Sequence, residues 1–342
     1  MLVLRQTDRR GFVLIVTLLM IAVLAGIIFE IYYEARMALH ISSNRLAGTQ
    51  ARLCAEGGLA VAVELLGQIE SPWSDETLWP VVSGQSDIPI GSGICRLYVT
   101  QESGRFNVNQ LMTQAGQANK KQVDILLRLI DAYNEQAQEK SEPLVSYAVV
   151  AAIMDWIDVD DEVTVLTSVS GDNQGAESAY YSQQEPATLC KNGPCDVLNE
   201  LLWIKGVTPD SLYGVQDPET GARSGGLASC LTVYGDSVIE LNSASALMIQ
   251  SLSDLIDSQL AQEVVSHRPY TNADQLKAVP GMTEPAYRAL STYLVGSRSQ
   301  SIQYYRIKVT AQVGQIGRCL GAVVRKHRRT GRTEVVMQWT IG

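Results

Sequence analysis

The amino-acid sequence predicts an α+β fold in which a long N-terminal helix packs on an antiparallel sheet and a large all-α segment is inserted between the strands. Three observations carry that prediction. Apolar residues recur at helical spacing without a break from Phe12 to about Ile69. Strand-like alternation occurs near Ile94–Asn109 and again from residue 301 onward. The intervening stretch has the 3.6-residue period of helices.

The elements follow in order. Arg5, Arg9 and Arg10 precede an uncharged run of 18 residues, Phe12–Phe29. As a helix that run spans about 27 Å, close to a hydrocarbon core and longer than the apolar part of a secretory signal. The basic flank predicts a cytoplasmic N-terminal end, with the chain beyond Tyr33 outside the inner membrane of a bacterium. Past the membrane, Leu39, Leu46, Leu53, Ala60 and Leu65 recur near heptad spacing, an apolar stripe for a sheet or a partner helix. Residues 71–92 are rich in Pro, Ser, Gly and Asp and predict an extended loop. GICRLYVTQESGRFNVNQL predicts two strands, Ile94–Gln101 and Arg105–Asn109, around a Glu-Ser-Gly turn. Lys121–Ala137 and Pro143–Ile157 predict helices, the second buried and opening on its proline. YYRIKVTAQVG, CLGAVVRKH and TEVVMQWTI predict closing strands, the last two joined by RRTGR, and the basic turn Arg325–Arg332 is expected to face solvent, phospholipid or an acidic partner.

One internal repeat stands out. Asn199–Thr208 aligns with Asp274–Thr283, each predicting a short helix, an apolar anchor, Gly, an apolar residue, Thr and the next helix. This resembles the hairpin of a helix-hairpin-helix or SAM-like module. Thr208 and Thr283 stand where DNA-binding versions keep a second glycine, with Asp210 and Glu284 beside them.

The chain carries 27 Lys and Arg against 36 Asp and Glu, a net charge of −9, which argues against nucleic acid as the main partner. Residues 110–235 hold 18 acidic and seven basic side chains. The densest part is DWIDVDDE followed by GDNQGAE: Asp155, Asp158, Asp160, Asp161 and Glu162 crowd the end of an apolar helix, and Asp172, Asn173 and Glu177 follow in a glycine-containing loop. Hard oxygen donors in a flexible loop suit calcium, without the spacing of an EF-hand. A solvated acidic loop and a catalytic carboxylate pair are the alternatives. Six cysteines beyond an anchor favour disulfides over thiolate–metal chemistry. Cys190 and Cys195 are a local pair across CKNGPC, with Cys54, Cys95, Cys230 and Cys319 open as to partner. The chain has no nucleophile elbow, zincin helix, phosphate loop or dinucleotide fingerprint, so nothing positive points to an enzyme.

RRGF at Arg9–Phe12, SGRFNVN at Ser103–Asn109, DWIDVDDE, GAESAYY, ELLWIKGVTP at Glu200–Pro209, IELNSASA at Ile239–Ala246 and DQLKAVPGM at Asp274–Met282 occur in that order. Together they resemble the type II secretion system minor pseudopilin K family over nearly the whole chain. The resemblance implies a pilin-like fold and a prepilin leader, residues 1–11, cut by prepilin peptidase between Gly11 and Phe12, with methylation of the new Phe12 amine. Residues 12–33 become the transmembrane part of the helix, 34–109 the pseudopilin helix and first strands, and 110–235 the inserted helical domain. Residues 236–300 form a second SAM-like or helix-hairpin-helix segment, and 301–342 the closing strands. Val16 stands where pilins usually carry Glu at the fifth mature position. A subunit without a predecessor needs no such carboxylate, which implies a tip subunit. The implied partners are minor pseudopilins I and J, the major pseudopilin, prepilin peptidase and the inner membrane, extending to secretin or exoprotein, with no nucleic acid. Calcium is bound in some members. We match it to Asp158, Asp160, Asp161, Asp172, Asn173 and Glu177. The alternative is a minor pilin of a type IV pilus or competence system binding DNA through the hairpins.

Overall fold

The computed structural model describes residues 9–69, 78–140, 142–217, 220, 221 and 223–341. Residues 1–8 of the expected leader lie outside them. The chain opens with α1 (Arg9–Gln68), a continuous 60-residue helix roughly 90 Å long at 1.5 Å per residue. Its apolar N-terminal part is bare: every large hydrophobic from Phe12 to Leu46 is exposed except the partly covered Val16, and the segment is long and apolar enough to cross a membrane.

Packing begins at Ala51. The face Ala51, Cys54, Ala55, Leu59, Ala62 and Leu66 is buried at helical spacing and rests on a five-stranded antiparallel sheet. The strands are β1 (Ile88–Ile90), β2 (Gly93–Gln101), β5 (Ile302–Val313), β6 (Ile316–His327) and β7 (Thr333–Ile341), adjacent in that order. Strict alternation in β2 turns Cys95, Leu97 and Val99 to the helix, and registers such as Leu97 with Val309 and Val309 with Leu320 align the same face across the sheet. Gly58 permits the close approach. A Cβ there would lie 2.8 Å from Val309 Cγ1 and 2.9 Å from Cys95 Sγ.

The predicted apolar stripe is on the other side of the helix. Leu39, Leu46 and Leu53 are 72%, 61% and 57% exposed, and Ala60 is exposed too. The sheet therefore takes the small-residue face, because small side chains let helix and sheet backbones approach, and the leucine stripe is left uncovered. The helix ends on a buried cation: Lys326 Nζ on β6 donates to the Ile69 carbonyl, so part of the basic turn expected at the surface instead caps α1.

The insertion leaves the sheet at the end farthest from the bare helix. Arg318, by the β5–β6 hairpin, lies against Gly48, whereas the start of β5 lies by the end of α1, where Gln303 pairs with Lys326. At that end β2 runs into a 3-10 turn, Glu102–Gly104, rather than into a hairpin partner. The expected second strand shrinks to β3 (Phe106–Asn107), which pairs in parallel with β4 (Leu231–Thr232) inside the helical body. Glu102 causes the departure. It is fully buried, and its carboxylate accepts from Arg306 Nε of β5 at 2.7 Å, Arg105 Nη1 at 3.2 Å and Thr232 Oγ1 of β4 at 2.5 Å.

The body consists of α3 (Lys120–Glu139), α4 (Ala148–Ile157), the short α5 (Ser178–Tyr181), α6 (Pro209–Tyr213) and α7 (Ala246–Gln250), then α8 (Ser258–Ser266) and α9 (Glu284–Ser299). A further short helix, α2 (Trp79–Val82), and β1 interrupt the expected 71–92 loop. One apolar core runs from Phe106 to Leu294, so the boundary expected at residue 235 divides a single packed unit. α4 starts at Ala148, five residues after Pro143. Asn134 holds the chain extended there, its side chain donating to the Val145 carbonyl at 2.9 Å and accepting its N–H at 2.8 Å. Both repeats form as expected: a 3-10 turn, Gly206 or Gly281 at φ +83° or +79°, then α6 or α9.

Replacing Glu102 with Gln keeps the shape but leaves two guanidinium groups facing each other at a buried junction. Glu102→Gln is expected to lower the unfolding free energy by about 3 kcal/mol in urea titration. A loss below about 1 kcal/mol, the scale of an ordinary neutral hydrogen bond, is the result that contradicts this.

Candidate metal centre

The acidic region resolves into a buried trio. Asp155 belongs to the last turn of α4, Asp158 is the residue that ends that helix, and Glu177 precedes the first turn of α5. The spacing Asp155–Asp158 puts both carboxylates on one helix face. The intervening loop then folds back, with Leu166 N–H on the Asn173 carbonyl at 3.0 Å and Gly175 N–H on that of Thr164 at 2.9 Å. Gly175 fits where no side chain can, since a Cβ there would collide with Asp155 Oδ2. Lys205 from the first hairpin holds this return by donating to the carbonyls of Gln174 at 3.0 Å and Gly175 at 3.2 Å. Tyr181 and Trp156 wall the site in edge-to-face contact, 5.2 Å between ring centres.

Each of the three residues offers a carboxylate oxygen within 4.8 Å of the other two. Asp155, Asp158 and Glu177 are 0%, 5% and 2% exposed. Asp155 Oδ1 accepts the Thr164 N–H at 2.9 Å. Its Oδ2, Asp158 Oδ1 and both oxygens of Glu177 are buried without a hydrogen-bond partner. Burial, then the nearby carboxylates Asp160 and Asp155, push Asp158 up to about 7. Burial and then Asp155 push Glu177 up to about 7, and burial also raises Asp155. Unsatisfied buried oxygens of like charge fit a hard cation, and three carboxylates supply up to six oxygens between them.

The predicted ligand set is thus corrected in part. Asp158 and Glu177 come together, joined by Asp155, whose signal was an acid inside the apolar stretch AIMDWI three residues before Asp158. Asp160 is exposed and accepts the Glu162 N–H at 2.9 Å. Asp161 accepts the Ser178 N–H at 3.3 Å. Asp172 is exposed, and Asn173 donates to the carbonyls of Leu166 at 2.8 Å and Val169 at 3.4 Å. All four build or border the loop without entering the trio.

No two of the six cysteines are joined in the structure. The local pair across CKNGPC is not closed: Cys190 Sγ donates to the Asp155 carbonyl at 3.5 Å, while Asn109 brackets the backbone of Cys195 at 2.7 and 2.9 Å and draws it toward the SGRFNVN segment. Gly11 and Phe12 lie within the uninterrupted first turns of α1, with Phe12 exposed and Val16 a turn further on. At the hairpins each threonine that stands in the place of the second glycine caps the helix that follows it. Thr208 Oγ1 accepts the Ser211 N–H at 3.1 Å, and Thr283 Oγ1 accepts that of Ala286 at 3.3 Å.

Comparison with known proteins agrees with this architecture. Residues 104–216, which hold all three carboxylates, match the family "Type II secretion system (T2SS), protein K", and residues 236–295 match "Helix-hairpin-helix motif". The chain is 25% identical over 205 residues to type II secretion system protein K of Klebsiella pneumoniae. The chain is thus similar to protein K of the type II secretion system over its middle part. The match covers 58% of this chain and 58% of the length of the Klebsiella protein K. The fold is also similar, at a TM-score of 0.58 and 16% identity, to a chain of the crystal structure of the GspK-GspI-GspJ complex from the enterotoxigenic Escherichia coli type 2 secretion system. That likeness covers 88% of this chain and 99% of the other. The α+β fold with its helical insertion agrees with the solved relative.

The raised carboxylates set a pH dependence. In the metal-free protein the folded state holds protons on Asp158 and Glu177 that the unfolded chain releases near its ordinary values of 3.8 and 4.5. The folded state therefore binds more protons in that window, and stability falls as pH rises from about 4 through about 7. Thermal melts in chelator across that range are expected to show a declining midpoint, and Asp158→Asn flattens the decline. A midpoint that climbs from pH 4.5 to 7 in chelator contradicts the assignment.

Proposed function

We propose that this protein is a minor pseudopilin of the protein K family that forms the tip of a periplasmic pseudopilus with minor pseudopilins I and J and supports export of folded proteins across the outer membrane. The observation that carries the reading is the division of labour on α1. One face from Ala51 onward is taken by the sheet, while the leucine stripe Leu39, Leu46 and Leu53 is exposed beside it. That stripe has the near-heptad spacing that partner helices cover. The solved relative, which its authors describe as a GspK-GspI-GspJ complex, is of the same fold and supports the choice of partners. The helical body stands at the end of the sheet away from the bare helix, where it obstructs stacking of a further subunit.

In this reading the inner membrane holds Phe12–Tyr33 as a single span, and the remainder is periplasmic. Prepilin peptidase acts between Gly11 and Phe12, leaving a methylated Phe12 amine. Val16 brings no carboxylate into the apolar run, as suits a subunit that no other precedes. The major pseudopilin lies below the tip, with secretin or exoprotein beyond it. The role is structural rather than enzymatic. The DNA-binding alternative has less support, because threonine caps the helix after each hairpin and Asp274 and Glu284 pair locally with Lys277 and Arg288.

Calcium fits the trio. Asp155, Asp158 and Glu177 would hold it, and bound there it supplies positive charge to oxygens that otherwise have no partner. The site ties the end of α4 to the start of α5 and thereby shapes the 158–177 loop.

Two measurements test the proposal. The segment from Arg36 onward, mixed with the corresponding parts of minor pseudopilins I and J, is expected to give a 1:1:1 complex by light scattering, and absence of any complex overturns the tip assignment. Calcium is expected to raise the melting midpoint of the wild-type chain by several degrees at pH 7. Asp158→Asn should abolish that rise while melting higher than wild type in chelator, since it removes a charge from an uncompensated cluster. An Asp158→Asn protein that responds to calcium as wild type does contradicts the site.

A further inference from the structure

Among the six cysteines, two are each other's neighbours. Cys54 lies on the buried face of α1 and Cys95 on the facing side of β2, 3% and 0% exposed, in the same packed core and close enough for each thiol to act on the other. Two glycines bring the backbones together at this crossing. Gly58 is one turn along the helix from Cys54, and a Cβ on it would lie 2.9 Å from Cys95 Sγ. Gly93 shares the β2 face of Cys95, and a Cβ on it would lie 3.1 Å from Cys54 Sγ. Each sulfur thus fills the space above a glycine on the opposite element. The remaining cysteines have other surroundings: Cys190 the Asp155 carbonyl, Cys195 the Asn109 side chain, Cys230 the Ser245 hydroxyl at 3.2 Å, and Cys319 a half-exposed place in β6.

We propose that Cys54 and Cys95 are a disulfide site, a covalent tie between the long helix and the second strand that forms when the sheet docks on α1. The inference rests on the periplasmic location given above, because only an oxidising compartment sustains such a bond. Both S–H bonds break and one S–S bond forms. Two electrons pass to the disulfide of a thiol–disulfide exchange protein of that compartment, whose S–S bond breaks, and the two protons end on its sulfurs, so that it leaves as a dithiol. The pair becomes inaccessible once α1 and β2 close over it, so exchange precedes final docking. The cross-link encloses the 70–77 segment, α2 and β1 in one loop and fastens the helix where it first meets the sheet. Force along α1, as when a subunit is drawn from the membrane, then reaches the sheet through a covalent bond as well as through packing.

The test uses the full chain expressed in a bacterium with an inner membrane and a periplasm. Cells are quenched in acid, the protein is denatured and alkylated with iodoacetamide, and its peptides are mapped by mass spectrometry with and without reduction. The expected result is one linked peptide pair containing Cys54 and Cys95, separable by reduction, with Cys190, Cys195, Cys230 and Cys319 alkylated directly. Cys54 and Cys95 both alkylated without reduction, or either one linked to a different cysteine, overturns the proposal. A membrane-impermeant maleimide applied to spheroplasts separates the two ways of failing. If half-exposed Cys319 is labelled from outside while Cys54 and Cys95 are free, the location stands and the pairing is wrong. If Cys319 reacts after lysis alone and all six thiols are reduced, the periplasmic location itself is wrong and the pairing falls with it.

Discussion

Glu102 is the point on which the two halves of the molecule depend. It has no exposed surface, yet it binds a sheet strand through Arg306 and the helical body through Thr232, with Arg105 closing the set. A carboxylate withdrawn from water is stable only where its partners are in place, so correct docking of the sheet and the body is a condition of burying it at all. Around this junction the backbone is equally committed. Glu240 N–H donates to the Ser103 carbonyl at 2.8 Å, and a side chain on Gly104 would collide with the backbone at Ser243 and Ala244. The SGRFNVN motif is therefore architectural: Asn107 and Asn109 continue it by donating to the carbonyls of Gly235, Cys195 and Val233.

The carboxylate trio obeys the opposite logic. Glu102 meets two guanidinium groups, but Asp155, Asp158 and Glu177 meet one another. Charges less than 5 Å apart repel by roughly 3 kcal/mol per pair at an effective dielectric near 20. Burial without a counter-charge pushes protons onto two of them near neutral pH, a state that serves no purpose in packing. The surrounding parts are nonetheless well ordered: Gly175 makes room, Lys205 holds the returning backbone, and Trp156 and Tyr181 close the wall. A rigid frame around unsatisfied anionic oxygens is what a cation site requires before the cation arrives. The pair of thiols at Cys54 and Cys95 has the same character, a prepared contact awaiting one chemical event, though there the event is oxidation.

Much of the fold is legible in the sequence because periodicity reports burial directly. The 60-residue helix, the three closing strands and the two hairpin repeats all follow from apolar spacing and from glycine at positive φ. The candidate site was half legible. Asp158 and Glu177 stand out in an acidic run, but the neighbouring Asp160, Asp161, Asp172 and Asn173 carry the same chemistry in sequence. What separates them is the direction in which the loop turns them. Asp155 was hidden for the converse reason, an acid enclosed in an apolar helix whose burial is visible only when α4 packs.

The sequence by itself determined the helix, its membrane-length apolar run, the antiparallel strands and the acidic loop, since each depends on residues close together along the chain. Only the tertiary structure decided which face of α1 the sheet takes, leaving Leu39, Leu46 and Leu53 bare in favour of Ala51, Cys54, Gly58 and Ala62. It also decided that residues 106–294 share one core, that Lys326 ends the long helix, and that Cys54 faces Cys95 rather than Cys190 facing Cys195. These outcomes turn on close approach between segments distant in sequence, where the volume of a glycine or an alanine matters more than hydrophobicity. No pattern along the chain records which surfaces will meet.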